Sequence, residues 1–513
     1  MESFLSNRPD AISRCTFTLN GDQTKCPHHF NSRQKSSRQK IYNNILELIG
    51  DTPLVRINRL TNDEDVKCNI LAKLEYFNPG GSIKDRIGLR MIEEAERNGN
   101  LKPGDTIIES TAGNTGVGLA LVCAIKNYRC ITVMPEKMSQ EKVNILRALN
   151  AEIVRTPTGA LFDSLESDIG VAHKLKTEIP NSHILDQYRN SYNPIAHYDT
   201  TAEEIIQACN GQIDMIVAGA GTGGTLTGLS RKFKEKFPNC IIIGVDTEGS
   251  ILALPETMNT IGIQFYEVEG IGHDFLPTVL DRSLIDRWYK ISDINSFNYA
   301  RKLMKYEGIL CGGSSGAAMA CALQACKDFN LNENQNCVVI LPDSVRNYMS
   351  KFLNDDWMID RDFINIEEKS IDEWWHTKTV LNLSIHQSIT VTENTTIHFV
   401  IDLMNKKSFD QIPVIFDDQI IIGVITMNEI MTQISNGTIN TKDFVSKIMT
   451  KKFQMVQFDD TLLKLSRILK VHNYAIIRIP SEYNSNESTK QRFGIITNID
   501  LLNFIIKQNQ TTE

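Results

Sequence analysis

Three short segments hold residue types that could work together chemically. The first is Asn78-Pro79-Gly80-Gly81-Ser82-Ile83-Lys84-Asp85-Arg86, in which two glycines allow a sharp turn before a lysine at the head of a predicted helix. Taken alone, it favours a solvated lysine beside a turn. The second is Gly221-Thr222-Gly223-Gly224-Thr225, placed after the predicted strand DMIVAGA (214–220) and at a helix start. Successive N–H groups at a helix N-terminus make an anion nest, and glycine admits a phosphate closely. No Gly-Lys-Ser/Thr follows, and Leu226 and Thr227 break a Gly-x-Gly-x-x-Gly pattern, so one phosphate fits better than two or three. A bland strand-to-helix turn is the competing reading. The third, Ser110-Thr111-Ala112-Gly113-Asn114-Thr115-Gly116, offers another helix-start nest with hydroxyl and amide side chains, suited to a substrate carboxylate. A lysine able to form a Schiff base, a one-phosphate cup and a carboxylate cup together imply pyridoxal 5′-phosphate.

Such groups need a frame, and the central chain predicts one. TIIES (106–110), CITVMPE (130–136), CIIIGVD (240–246) and CVVILPD (337–343) read as buried strands. They alternate with predicted helices at 113–127, 139–150, 224–237 and 314–329. Continuous apolar strands spaced by helices predict an α/β fold with parallel sheets covered on both faces. The stretch 41–354 is too long for one small sheet, so two lobes with a cleft between them are expected. Residues 355–381, with Trp357, Trp374 and Trp375, read as a linker with aromatic anchors. An internal repeat follows within 382–513, copy one about 382–436 and copy two about 443–510; its Gly-x-x-Thr segments begin at Gly423 and Gly494, 71 residues apart. Two copies suggest a duplicated module packed as a pair. Residues 1–40 are polar and lack apolar periodicity, which predicts a flexible arm.

Composition narrows the function. Hydrophobic residues make up 41% of 513 positions and charged residues 23%, enough for a large core and against wholesale disorder. A net charge of −8 speaks against a nucleic-acid binder, and no apolar run reaches membrane-spanning length. Eleven scattered cysteines form no disulfide framework, and the N-terminus has no apolar signal core, so a cytoplasmic protein with free thiols is expected.

Taken together, the three segments resemble those of the tryptophan-synthase-β-like, fold-type II family of pyridoxal phosphate enzymes, which includes cysteine synthase and the serine and threonine dehydratases. IIESTAGNTGVGLAL, VMPEKMSQEKVNILRALNAEIVRTP, PNSHILDQYRN, VEGIGHDF and VVILPDSVRNYMSKFL extend the likeness over nearly the whole chain. Within the family they are most similar to the haem-containing, cystathionine-forming synthases of animals. The resemblance implies that Lys84 holds the cofactor covalently, Asn114 bonds its ring oxygen, Gly221, Thr222, Gly223, Gly224 and Thr225 cup its phosphate, and Ser314 faces its pyridine nitrogen. Thr111, Ala112, Thr115 and Gln187 fall where the family holds the substrate carboxylate. The implied reaction is β-replacement of serine by homocysteine, giving cystathionine and water, with hydrogen sulfide released when cysteine replaces serine. A neutral serine at the ring nitrogen favours elimination over a long-lived carbanion. The chain departs from the pattern at Ala112, often a serine, and at His273, where animal enzymes carry tyrosine. Phe237 with Cys240 replaces a Cys-x-x-Cys of the human-type enzyme, so a disulfide switch there is unsupported.

The resemblance also reaches both ends. Cys15 and His28, 13 residues apart, match the axial haem ligands of the animal enzymes, with Arg231 as the cation beside the thiolate. The alternatives are a tail whose cysteine and histidine are incidental, or adventitious zinc on Cys26, His28 and His29. The C-terminal repeat resembles a regulatory α/β tandem CBS-domain pair. Its adenosyl signature is intact in copy two (Gly494, Thr497, Asp500), whereas copy one reads Gly423, Thr426, Glu429. Phe409 and Asp410 match positions near the site of relatives that bind S-adenosylmethionine. A ligand-free dimerisation module is the alternative. A homodimer or higher homo-oligomer acting on small molecules, with no nucleic acid and no membrane partner, is expected. The rival functions are a cysteine-synthase-like enzyme and an adenosyl-sensing regulator with an inactive catalytic lobe; intact Lys84, Asn114 and Ser314 argue against the regulator.

Overall fold

The computed structural model describes residues 41–509 except 112, 136–137, 157–164, 261, 264–265, 362, 365–372, 408, 417–419, 436–438, 451–452 and 480–491. Cys15 and His28 lie outside the described residues, as does Ala112. The chain divides into two units at Ile49/Gly50; the described residues of the first, 41–49, hold a short turn, Ile45–Leu48, capped by Asn44, whose side chain accepts the Leu46 N–H at 2.9 Å.

The first ten strands are β1 Leu54–Arg56, β2 Asn69–Leu74, β3 Thr106–Ser110, β4 Arg129–Pro135, β5 Glu152–Thr156, β6 Ser182–Ile184, β7 Met215–Gly219, β8 Ile241–Thr247, β9 Arg287–Ile291 and β10 Asn336–Leu341. They form two sheets. One has the order β5-β4-β3-β6, all parallel, with Ile108 opposite both Ile131 and Ile184. The other has the order β1-β2-β10-β7-β8-β9, parallel except that β1 runs antiparallel on its edge. β3 is buried at every position, as expected for a strand covered on both faces.

The helices that cover these sheets meet one another at close range because small residues line their crossings. The helices used below are α1 Lys84–Arg97, α2 Asn114–Lys126, α3 Gly224–Lys236, α4 Asp293–Glu307 and α5 Gly313–Asp328. A Cβ at Gly316 would lie 2.0 Å from the Ser296 carbonyl, so α5 meets α4 backbone to backbone. A Cβ at Gly118 would lie 2.7 Å from the Lys84 carbonyl, so α2 presses on the first turn of α1. That turn is anchored further by a buried ion cluster. Arg86 pairs with Glu75 at 2.7 Å and Glu204 at 2.6 Å, and Lys73 reaches Glu204 at 2.6 Å. Taking one partner from such a cluster would leave a buried charge uncompensated, so the start of α1 is pinned.

Past β10 the polypeptide stays with the two large sheets for another turn of helix, α6 Asp355–Ile359. Trp357 packs edge-on against Phe297 at 5.4 Å and near Phe363 at 5.8 Å. The C-terminal region has two three-stranded sheets. The first is β11 Val391–Thr392, β12 Gln411–Phe416 and β13 Ile420–Thr426; the second is β14 Met455–Val456, β15 Tyr474–Ile479 and β16 Arg492–Thr497. Val380 and Leu383 sit in one core with Leu465 and Leu469, and Gln387 bridges to Gly494. The chain that precedes the first sheet therefore packs on the second.

Candidate active site

A cavity of about 510 Å³ opens at the C-terminal ends of strands from both sheets. Thr111 and Asn114 come from the turn after β3, Gly221 to Thr225 from the turn after β7, and Pro342 follows β10. Ligands in α/β sheets bind at this end because loops and helix N-termini converge there.

Lys84 is the first residue of α1 and lines the cavity. Its Nζ donates to Thr222 Oγ1 at 3.4 Å. Burial pulls its pKa down to about 8, since a charged amine is poorly solvated there, so a neutral amine is populated near physiological pH. Thr222 also accepts from Asn193 Nδ2 at 3.0 Å. Gly223, the N-cap of α3, has φ +86° and lies so near Leu280 that a Cβ would come within 2.5 Å. At Gly221 a Cβ would meet the Gly270 carbonyl at 2.5 Å. These glycines keep the loop tight at the N-terminus of α3, where the Gly224 N–H donates to Thr222 Oγ1 at 3.4 Å, and helix-start N–H groups of this kind suit one phosphate. His197 closes its outer wall. Its Nε2 lies 3.2 Å from Thr225 Oγ1, and burial first, then the positive charges of Arg86 and Lys84, push its pKa far down, so it is a neutral hydrogen-bond partner.

The second cup is held from within. Thr111 Oγ1 accepts the N–H groups of Gly113 at 3.3 Å and Gly116 at 3.2 Å. Thr115 Oγ1 donates to Gln187 Oε1 at 2.6 Å, and Gln187 Nε2 donates to the Ser110 carbonyl at 3.1 Å. Beneath, Glu109 accepts the N–H of Gln187 at 2.8 Å; burial raises its carboxyl to about 7. Ser314, in the first turn of α5, is buried at the cavity wall. Lys84, the phosphate cup, the carboxylate cup, Asn114 and Ser314 thus share one cavity.

Residues 45–343 match the family model described as "Pyridoxal-phosphate dependent enzyme", and 380–436 match "CBS domain". The chain is 54% identical to rabbit (Oryctolagus cuniculus) cystathionine beta-synthase, covering 98% of this chain and 92% of the relative. It is 48% identical to the Dictyostelium discoideum cystathionine beta-synthase, over 98% and 99% of the two chains. The chain belongs to the cystathionine β-synthase family of pyridoxal-phosphate-dependent enzymes. Among solved structures, the O-acetylserine dependent cystathionine beta-synthase of Helicobacter pylori superposes with a TM-score of 0.56 at 40% identity, covering 61% of this chain and all but 2% of that one (98%).

The family's cofactor fits these residues. A nucleophilic amine with a lowered pKa stands beside a glycine-lined loop at a helix N-terminus, where a Cβ at Gly221, Gly223 or Gly224 would collide with Gly270, Leu280 or Asn193, so only glycine lets the loop pack this closely. Several residues of the site carry no short-motif signal. Asn193, fully buried, ties Thr222 to the Gln187 carbonyl, which it reaches at 2.8 Å. Its sequence context, SYNPIAHYD, reads as an ordinary helix start. Lys142, Glu269 and Lys351 line the cavity as a buried ion triad, Lys142 to Glu269 at 2.6 Å and Lys351 to Glu269 at 2.5 Å. Burial would raise Glu269, but the two lysines outweigh it and hold the carboxyl below its ordinary value. His273 also lines the cavity, packed edge-on against Tyr188 at 5.1 Å and beside Phe275 at 4.7 Å.

Arg231 and the predicted residues of the C-terminal repeat, all among the described residues, do not line this cavity. Arg231, on α3, is half exposed and pairs with Asp281 at 3.1 Å. In copy two of the repeat, Asp500 Oδ2 accepts both the N–H and the Oγ1–H of Thr497 at 2.8 Å. In copy one, Thr426 Oγ1 accepts the Glu429 N–H at 3.1 Å, while the longer Glu429 side chain turns to Gln433 at 3.0 Å. Phe409 is partly exposed, and the Asp410 carbonyl accepts the Met427 N–H at 2.8 Å.

Proposed function

We propose that this cavity binds pyridoxal phosphate through Lys84 and condenses L-serine with L-homocysteine to L-cystathionine and water. The observation that carries the reading is the 3.4 Å approach of Lys84 Nζ to Thr222 inside the glycine cup, which joins a reactive amine to a phosphate site. When bound, the cofactor supplies the electron sink that acidifies the substrate α-proton and lets the β-hydroxyl depart. The protein does the rest. Thr111, Thr115 and Gln187 hold the substrate carboxylate at the N-terminus of α2, and Asn114 and Ser314 orient the cofactor ring without a formal charge. Lys84, as a free amine, takes the α-proton at Nζ and returns a proton to the α-carbon after the homocysteine sulfur has bonded to the β-carbon. Cysteine in place of serine would release hydrogen sulfide by the same exchange. Incubation of purified protein with serine and homocysteine should form cystathionine, detectable by mass. Cysteine formed from O-acetylserine and sulfide, with no cystathionine, would point instead to a cysteine synthase.

The same reading extends to the ends of the chain and to an oligomeric, cytoplasmic enzyme whose buried thiols suit a reducing compartment. One haem per chain on Cys15 and His28 is supported by their spacing and types. Cys15→Ser should abolish the thiolate-type Soret band of the purified protein; its survival would exclude Cys15 as ligand. For the C-terminal pair, S-adenosylmethionine at copy two is supported by the turn in which Asp500 and Thr497 are preset side by side. A carboxylate accepting both ribose hydroxyls forms charge-assisted bonds, the stronger kind. Calorimetry should show at most one such site per chain, lost in Asp500→Ala and kept in Glu429→Ala. No heat at millimolar ligand would leave the pair a dimerising element.

A further inference from the structure

Asn114 opens α2 at the cavity wall with both ends of its amide already engaged on the far side. Its Nδ2 donates to Asp343 Oδ2 at 2.8 Å, and its Oδ1 accepts from Asn347 Nδ2 at 3.2 Å. Asp343 is buried, at 1% exposure, and firmly placed. The Tyr348 hydroxyl donates to the same Oδ2 at 2.5 Å, and Lys142 Nζ sits 4.6 Å from the Tyr348 ring centre. Glycine at 312 makes room for the carboxylate, since a Cβ there would lie 2.0 Å from Asp343 Oδ1. The two ends of an amide are nearly alike in shape but opposite in hydrogen-bonding sense. The Asp343 carboxylate accepts and so selects the orientation that turns Nδ2 toward it, which Asn347 completes by donating to Oδ1. In that orientation Asp343 takes one of the two N–H bonds on Nδ2 of a residue that lines the cavity, and the amide carries a second.

We propose that Asp343 and Asn347 are positioning residues that lock the Asn114 amide with an N–H toward the cofactor's ring oxygen. The inference rests on the reading above, in which pyridoxal phosphate is held on Lys84 with that oxygen at Asn114. A donor stabilises the ionised oxygen, whereas a carbonyl would stabilise its O–H form. The proton concerned moves between the ring oxygen and the nitrogen that links the cofactor to Lys84; no other atom is exchanged. Orientation of one amide thus sets which tautomer of the bound cofactor prevails. The two tautomers absorb at different wavelengths, the ionised-oxygen form at the longer.

The test compares cofactor fluorescence spectra, which are read apart from a haem Soret band, in full-length holoprotein at equal bound cofactor, for wild type, Asn347→Ala, Asp343→Asn, and Asp343→Asn combined with Asn347→Asp. Wild type should be dominated by the long-wavelength form. The combined exchange swaps donor and acceptor and should turn the amide over, lowering the ratio of long- to short-wavelength form by about fivefold, the size of one neutral hydrogen bond. Asn347→Ala should shift it in the same direction by less, and it serves if the Asp343 variants do not fold. Unchanged ratios in Asn347→Ala and the folded Asp343 variants would overturn the positioning role. A wild type with no lysine-linked chromophore would overturn the underlying cofactor reading instead, so the two failures are distinct.

Discussion

Lys84→Ala is expected to abolish cystathionine formation, by at least about ten-thousandfold, the upper range for a lost general acid–base. It removes the covalent anchor as well, so borohydride reduction should label Lys84 in wild type and nothing in the variant. The fold should survive. Lys84 Nζ makes one long bond, 3.4 Å to Thr222, and its charged form is disfavoured by burial, so its loss removes little stability. The turn that carries it is held by other groups, Arg86 with Glu75 and Glu204, which the substitution leaves intact. An unchanged thermal midpoint with activity lost would separate chemistry from stability. A phosphopyridoxyl label on another lysine, or activity retained in Lys84→Ala, would sink the mechanism.

Much of this was legible because the decisive groups are local. Lys84, Asn114 and Gly221 to Thr225 each stand at the junction of an apolar strand or turn with a helix, and such junctions show in a short window. The strands TIIES and CIIIGVD lie where their continuous apolar runs predict, at Thr106–Ser110 and Ile241–Thr247, since burial on both faces demands that pattern. The 71-residue repeat also has a physical counterpart. Gly423 and Gly494 both sit on strands against a strap of chain, with a Cβ reaching Met449 Sδ at 2.9 Å in one and Ile385 at 2.7 Å in the other.

What the sequence hides is long-range. β6 is only three residues, too short for any periodicity, and β1 is a short antiparallel edge whose pairing has no local mark. Asp343 and Asn114 are 229 positions apart, and Lys142 and Glu269 are 127 apart, so neither pair shows in any motif. Trp357 reads as part of a linker, yet its ring packs with Phe297 and Phe363, because an aromatic anchor carries no indication of which core receives it. Each of these features is fixed by packing between segments distant in sequence, which no window captures.

Gly224→Ala should damage the cofactor site more than its single methyl suggests. The added Cβ would lie 1.8 Å from Asn193 Oδ1 and 2.3 Å from its Cγ, well inside any permitted contact. Asn193 cannot yield easily, being 0% exposed and bonded through Nδ2 to Thr222 at 3.0 Å and to the Gln187 carbonyl at 2.8 Å. Displacing it breaks both bonds, and Thr222 and Gln187 belong to the phosphate and carboxylate cups respectively. Overpacking costs about 1–3 kcal/mol, and each buried group left without its partner costs a further ~1–3 kcal/mol. Expressed at the cup, losses of that size lower cofactor affinity by about a hundredfold or more. Dialysis against buffer, followed by absorbance of retained cofactor, should show the variant emptied while wild type stays loaded. Adding Asn193→Ala to Gly224→Ala should relieve the clash and recover part of the lost melting temperature, but not the affinity, because the bonds from Asn193 to Thr222 and the Gln187 carbonyl are then missing. Full cofactor retention in Gly224→Ala would show that the loop takes up the methyl without displacing Asn193, and would overturn the clash as a determinant of the phosphate cup.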